Sequence, residues 1–155
     1  GEARVNQILK SIHPGVPSSN PLGAAKAAFL ALGVCRIGLV TPYTADVTRS
    51  VEDNFSKSGI AVSVVGSFYE NNDLKVGKIT EKSILKAAIS VGQDPRCEAV
   101  FISCTSLRSA KVIAKAEAQL GKPVISSNYA LAWHLLRLAG IHDKAPEAGT
   151  LFTRN

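Results

Sequence analysis

The sequence predicts an α/β fold, doubly wound around a mainly parallel four-stranded sheet with helices on both faces, a Rossmann-like lobe. Three observations carry this. Short apolar runs bounded by turn signals alternate four times with helical patterns, the order that right-handed crossovers require. At 155 residues the chain has the usual size of one domain. With 46% hydrophobic and 19% charged residues, it can build a real core.

The elements follow in order. Residues 2–12 place Val5, Ile8, Leu9 and Ile12 at helical spacing, and Pro14-Gly15 ends that helix. Ser19-Asn20-Pro21 supplies a cap and a first-turn proline for a second helix over 22–32, closed by Gly33. Residues 35–41 form a short apolar run of the kind buried on both faces of a parallel sheet, ended by Pro42. An amphipathic helix over 44–58 runs through Val47, Val51 and Phe55 to Gly59, and a strand over 60–68 carries Val62, Val64 and Val65. Residues 70–80 read as a loop or short irregular helix. The next helix opens at Thr80, with Ile84, Leu85, Ala88 and Ile89 on one side, and stops at the break over 92–95. A strand over 99–103, a helix over 106–120, a strand over 124–126 and a helix over 128–139 complete the pattern. The division expected is a leading helix in 1–15, the α/β lobe in 16–141 and a tail in 142–155, which is partly ordered or crosses to a partner. The chain has no methionine, and Gly1 opens straight into a helical pattern, so the start reads as a processing boundary within a longer protein.

Composition narrows the function classes. The formal charge is +6, but the basic residues form no run and there are only nine aromatics, so small carboxylates fit better than nucleic acid. Cys35, Cys97 and Cys104 are odd in number and form no CxxC pair. That argues against a disulfide framework and a zinc site, and for a reducing cytoplasm. No run approaches the roughly 18 apolar residues of a membrane span. The three histidines show neither metal-ligand nor nucleophile-base spacing, and no glycine-rich phosphate motif follows any strand. No metal and no cofactor is expected.

In doubly wound sheets, ligands bind beyond the carboxyl ends of the strands. That rule selects three loops: Thr41-Pro42-Tyr43-Thr44, Ser103-Cys104-Thr105-Ser106 and Ser126-Ser127-Asn128-Tyr129. Cys104 follows a strand and directly precedes the helix expected from Ser106, a position that favours a thiolate able to give or take a proton. The plain alternative is a small buried packing residue. Cys35 and Cys97 lie at the opposite end of the sheet and read as inert packing. Tyr43 can hydrogen-bond a carboxylate or simply cover its loop. Thr105, Ser106, Ser126, Ser127 and Asn128 supply the donors of a metal-free anion pocket, or else plain helix caps. Asn71, Asn72 and Asp73 read as loop formers.

Three motifs in order, Arg36-Ile-Gly-Leu-Val-Thr-Pro-Tyr43, Phe101-Ile-Ser-Cys-Thr-Ser-Leu-Arg108 and Gly121-Lys-Pro-Val-Ile-Ser-Ser-Asn128, are followed by Trp133 and Leu136-Arg-Leu-Ala-Gly140. Together they resemble the aspartate/glutamate/hydantoin racemase superfamily, in its maleate cis-trans isomerase, arylmalonate decarboxylase and ectoine-utilisation branch, from about residue 16 to 141. The resemblance implies two similar lobes around the substrate, one cysteine from each, and no cofactor. It makes this chain the second lobe of an isomerase or racemase acting on a small dicarboxylate or amino acid derivative, with Cys104 as acid/base. Tyr43, with Thr41 and Pro42 of its loop, would contact a carboxylate. Thr105 would lend its N–H, and Ser106 and Asn128 would join the substrate site. A homo-oligomer, or pairing with a first lobe, is expected. The alternatives are a single-cysteine decarboxylase and a non-catalytic anion-binding or partner-binding module. Without the facing cysteine, the fragment alone is expected to be inactive.

Overall fold

The computed structural model describes residues 2–155; Gly1 and the side chains of Glu2, Ala3, Val5 and Asn6 lie outside the described residues. Helix α1 (Glu2–Ile12) leads into α2 (Pro21–Leu32), whose Asn20 cap accepts the Gly23 N–H at 2.8 Å. There follow β1 (Arg36–Thr41), α3 (Ala45–Ser56), β2 (Ala61–Ser67), the single turn α4 (Asp73–Val76), α5 (Glu81–Gly92), β3 (Ala99–Ile102), α6 (Ile113–Leu120), β4 (Val124–Ser126) and α7 (Ser127–Leu138). Two short 3-10 turns, Pro146–Ala148 and Thr150–Thr153, close the chain.

The four strands are all parallel, in the order β2-β1-β3-β4. Strand residues alternate between two cores, because successive side chains leave opposite faces of the sheet. Ile37, Leu39, Phe101 and Ile125 pack against α2, α3 and α7. Val40, Val100, Ile102 and Val124 pack against α5 and α6. The first core centres on Phe29, Phe55 and Phe101, which meet edge-to-face with centroids 5.4 to 5.7 Å apart. The doubly wound architecture expected from the sequence is therefore the one present. Its order reverses between β1 and β3, so the switch point lies between the ends of those two strands.

The structure corrects the sequence reading in several places. The helix expected from Ser106 begins at Ile113. Leu107 and Ser109 are buried, and turn bonds Ser109 N–H to Leu107 C=O and Val112 N–H to Ser109 C=O occupy the intervening segment. Local turns around serines compete with helix, and anchoring Leu107 in the core holds the chain in them. On α3 the buried face runs Thr48, Val51, Phe55, while Val47 is 47% exposed. The apolar residues at i and i+4 suggested the wrong edge of that helix. Cys97 is buried as expected, but Cys35 is exposed.

The tail folds back on its own chain. Leu151 enters the first core, Phe152 meets Tyr129 edge-to-face, and Trp133 Nε1 donates to the Arg154 carbonyl at 3.2 Å. Arg137 secures it by donating to the carbonyls of Arg154, Ile141 and Asp143 while lying over the Trp133 ring. Among the described residues, no helix is long and apolar enough to cross a membrane.

Candidate functional site

At the switch point, the ladder between β1 and β3 extends one residue further, through the Ser103 N–H bonded to Val40 C=O at 2.8 Å. The chain then turns sharply at Cys104, whose φ is +110°. An L-residue there is strained, and such strain concentrates at functional sites. Cys104 is 6% exposed and lines a cavity of about 200 Å³. That cavity brings together Tyr43 from the β1 loop, Ser103, Cys104 and Thr105 from the β3 loop, Val51 from α3, and the first residues of α2 and α7, namely Pro21, Leu22 and Ser127.

Because α6 starts at Ile113 rather than at Ser106, no helix N-terminus follows Cys104 directly and the α6 dipole does not act on it. The helix ends that do border the cavity are those of α2 and α7, where the helix dipole carries partial positive charge. Pro21, Leu22 and Val51 were not foreseen as site residues. The Asn20-Pro21 start of α2 was legible, but its arrival at the Cys104 cavity is a tertiary fact with no local signal.

Tyr43 is half-buried, and burial pushes its phenol well above the usual tyrosine range. A hydrogen bond with the Cys104 side chain, the nearness of that side chain and the Asp73 carboxylate push the same way, while the Ser103 hydroxyl opposes them. The phenol is therefore held as a proton donor beside the sulfur. Thr41 is buried, and its Oγ1 accepts the Tyr43 N–H at 3.2 Å. The Pro42 carbonyl accepts the Glu70 N–H, and Ser67 Oγ donates to the Tyr43 carbonyl at 2.6 Å. Thr41 and Pro42 thus shape the turn that presents Tyr43 and are not among the cavity's walls.

On the third loop, Ser126 Oγ caps α7 by accepting the Tyr129 N–H at 3.3 Å. Ser127 Oγ accepts the Cys104 N–H at 3.1 Å, and Asn128 Nδ2 donates to the Thr105 carbonyl at 2.9 Å. Ser106 and Asn128 line an adjoining recess of about 310 Å³, which Thr105 joins to the Cys104 cavity and which also carries Arg108 and Lys111. Asn72 is a loop former, its Oδ1 accepting the Leu74 and Lys75 N–H groups at 3.0 and 3.2 Å. Among the described residues, no three His, Cys, Asp or Glu side chains are grouped to hold a metal ion.

The class this defines is a doubly wound α/β lobe with a thiol and a phenol facing one cavity at its switch point. Comparison with known proteins places it more closely. The chain belongs to the arylmalonate decarboxylase family, whose profile matches residues 3–152. It is 24% identical over 152 residues to a maleate isomerase of Alcaligenes faecalis, covering 98% of this chain and 60% of the relative. It is 27% identical over 140 residues to the arylmalonate decarboxylase of Bordetella bronchiseptica, covering 89% of this chain and 58% of that one. Among solved structures, the maleate isomerase Iso from Pseudomonas putida S16, in a cysteine-to-alanine variant with maleate, superposes with a TM-score of 0.88 at 26% identity over 97% of this chain and 60% of that one. The chain thus spans about 60% of the length of the relatives it matches. The resemblance read from the three motifs is the family found.

Proposed function

We propose that the chain forms the second-lobe half of a cofactor-independent isomerase site for a small dicarboxylate, of the maleate cis-trans type, with Cys104 as the acid/base. The observation that supports this most directly is the placement of Cys104 beside Tyr43 in a small cavity faced by two helix N-termini. Helix N-termini and a phenol suit a carboxylate, and a cavity of about 200 Å³ suits a four-carbon one. Tyr43 and the Thr105 N–H hold the carboxylate, Thr41 and Pro42 fix the turn behind Tyr43, and Ser106 and Asn128 border the pocket on the recess side.

In the reaction, a nucleophile facing Cys104 adds to one olefinic carbon, and the π electrons shift to its neighbour, where the adjacent carboxylate stabilises them. The Cys104 S–H protonates that neighbour, the resulting single bond rotates, and the Cys104 thiolate takes a proton back from the same carbon as the carbon–nucleophile bond breaks. Bonds and protons balance, with only the geometry changed. Neither of the other cysteines can be that nucleophile, because exposed Cys35 and buried Cys97 lie at the strand entrances, across the sheet. The facing group therefore comes from a first lobe or a partner, and the 155-residue chain alone is inactive in isomerisation.

A second reading, decarboxylation of an arylmalonate through Cys104 alone, draws on the family profile and the Bordetella bronchiseptica relative. Proton NMR of the protein as encoded, incubated with maleate and separately with phenylmalonate, distinguishes the two. Fumarate formation supports isomerisation, phenylacetate formation supports decarboxylation, and neither product overturns both.

A further inference from the structure

The backbone at Cys104 is held where L-residues rarely go. At φ +110° the Cβ crowds neighbouring backbone atoms, and such a conformation persists only where surrounding groups over-determine it. Here they come from the first two residues of α7. Ser127 Oγ takes the Cys104 N–H, and Asn128 Nδ2 grips the Thr105 carbonyl. The strained Cα is thus bonded on the peptide before it and on the peptide after the next. Ser127 is itself buried at the capped end of α7. Neither side chain has a part in the proton transfers described above.

We infer that Ser127 and Asn128 are positioning residues, clamping residues 104–105 so that the Cys104 sulfur and the Thr105 N–H face the same cavity. The inference rests on reading that cavity as a carboxylate pocket. Without Ser127 Oγ, the Cys104 N–H is a buried donor lacking its partner, which is costly. The peptide then relaxes toward negative φ and carries the sulfur off the line of the pocket. Without the Asn128 amide, the same relaxation begins from the other side.

The test compares alkylation of Cys104 by iodoacetate and by iodoacetamide in the 155-residue chain, read by peptide mapping. The two reagents are near-isosteric, but only one carries a carboxylate. Exposed Cys35 gives the reference ratio of rates, and buried Cys97 reports whether the fold stays closed. In the unsubstituted chain, the iodoacetate-to-iodoacetamide ratio at Cys104 is expected at least tenfold above that at Cys35. Ser127→Ala and Asn128→Ala are each expected to lower it at least fivefold, with Cys97 unlabelled. A general gain or loss of exposure would move both reagents together and leave the ratio alone. Equal ratios at Cys104 and Cys35 in the unsubstituted chain would overturn the carboxylate-pocket reading itself. A preference that survives both substitutions would overturn the clamp and leave that reading standing. Should Ser127→Ala open the fold and label Cys97, the exposed Asn128→Ala decides alone.

Discussion

Replacing Cys104 by glycine and by alanine separates backbone strain from side-chain chemistry, since both variants lack the sulfur. At an ordinary buried position, alanine is the more stable of the two. Glycine enlarges the unfolded ensemble by about 0.4–1 kcal/mol relative to alanine. At φ +110° the balance reverses, because alanine keeps a strain of about 1–3 kcal/mol that glycine does not feel. Taking about 2 for the strain and about 0.7 for the chain entropy, Cys104→Gly should exceed Cys104→Ala by roughly 1 kcal/mol. For a chain of this size that is about 2–4 °C in Tm. Urea denaturation of the two variants, followed by far-UV circular dichroism, measures the difference. If Cys104→Ala were the more stable by 1 kcal/mol or more, the strained turn would not exist in solution. α7 would then have no strained turn to clamp.

Other perturbations act on the core, the phenol and the tail. Phe101→Ala removes the ring that both Phe29 and Phe55 meet edge-to-face and should cost about 3–5 kcal/mol in urea unfolding; a loss under 1 would mean the triad is not the centre of the core. Tyr43 has a raised folded pKa, so the stability it contributes is fully present below its ordinary value of about 10 and is lost as pH climbs through the folded value. The phenolate difference spectrum between the parent chain and Tyr43→Phe should therefore show no ionisation of Tyr43 at pH about 10, the ordinary midpoint, and half-titration there would contradict its burial. Arg137→Ala releases three hydrogen bonds to tail carbonyls, two to Arg154 and one to Asp143, so limited proteolysis within residues 142–155 should quicken and Trp133 emission should shift red. An unchanged digestion pattern would show that Leu151 and Phe152 hold the tail unaided.

Much of this molecule could be read from its sequence because the local signals agreed with the tertiary result. β3 is apolar throughout and β1 is apolar between Arg36 and Thr41, and both sit at the centre of the sheet, where burial on both faces demands that composition. The Asn20-Pro21 helix start and the Pro42 strand end are local chemistry with a single plausible outcome. The failures arose where a tertiary contact outweighed a local preference. The segment 106–112 has helical composition, yet Leu107 is anchored in the second core and the chain turns around it. On α3, valine at 47 was read as core, while a threonine at 48 takes the buried place because the sheet lies on that side. In the candidate site, Cys104 and Tyr43 were legible as strand-end residues. That the N-terminus of α2, some 80 residues earlier, closes the same cavity was not, because no pattern within either segment encodes their meeting. The exposed Cys35 thiol was likewise misjudged, since a strand entrance can be either covered or open and only the packing of neighbours decides.

The proposed reaction depends most on Cys104 moving a proton at the substrate carbon. The direct measurement is kcat for conversion of maleate to fumarate by the protein as encoded and by its Cys104→Ser variant, with Cys97 protection confirming that the fold is intact. General acid–base groups contribute roughly 10² to 10⁴ in rate, so the serine variant should lose at least a hundredfold in kcat with KM little changed. Turnover within a few-fold of the parent would show that the sulfur at the switch point is not the group that does the chemistry.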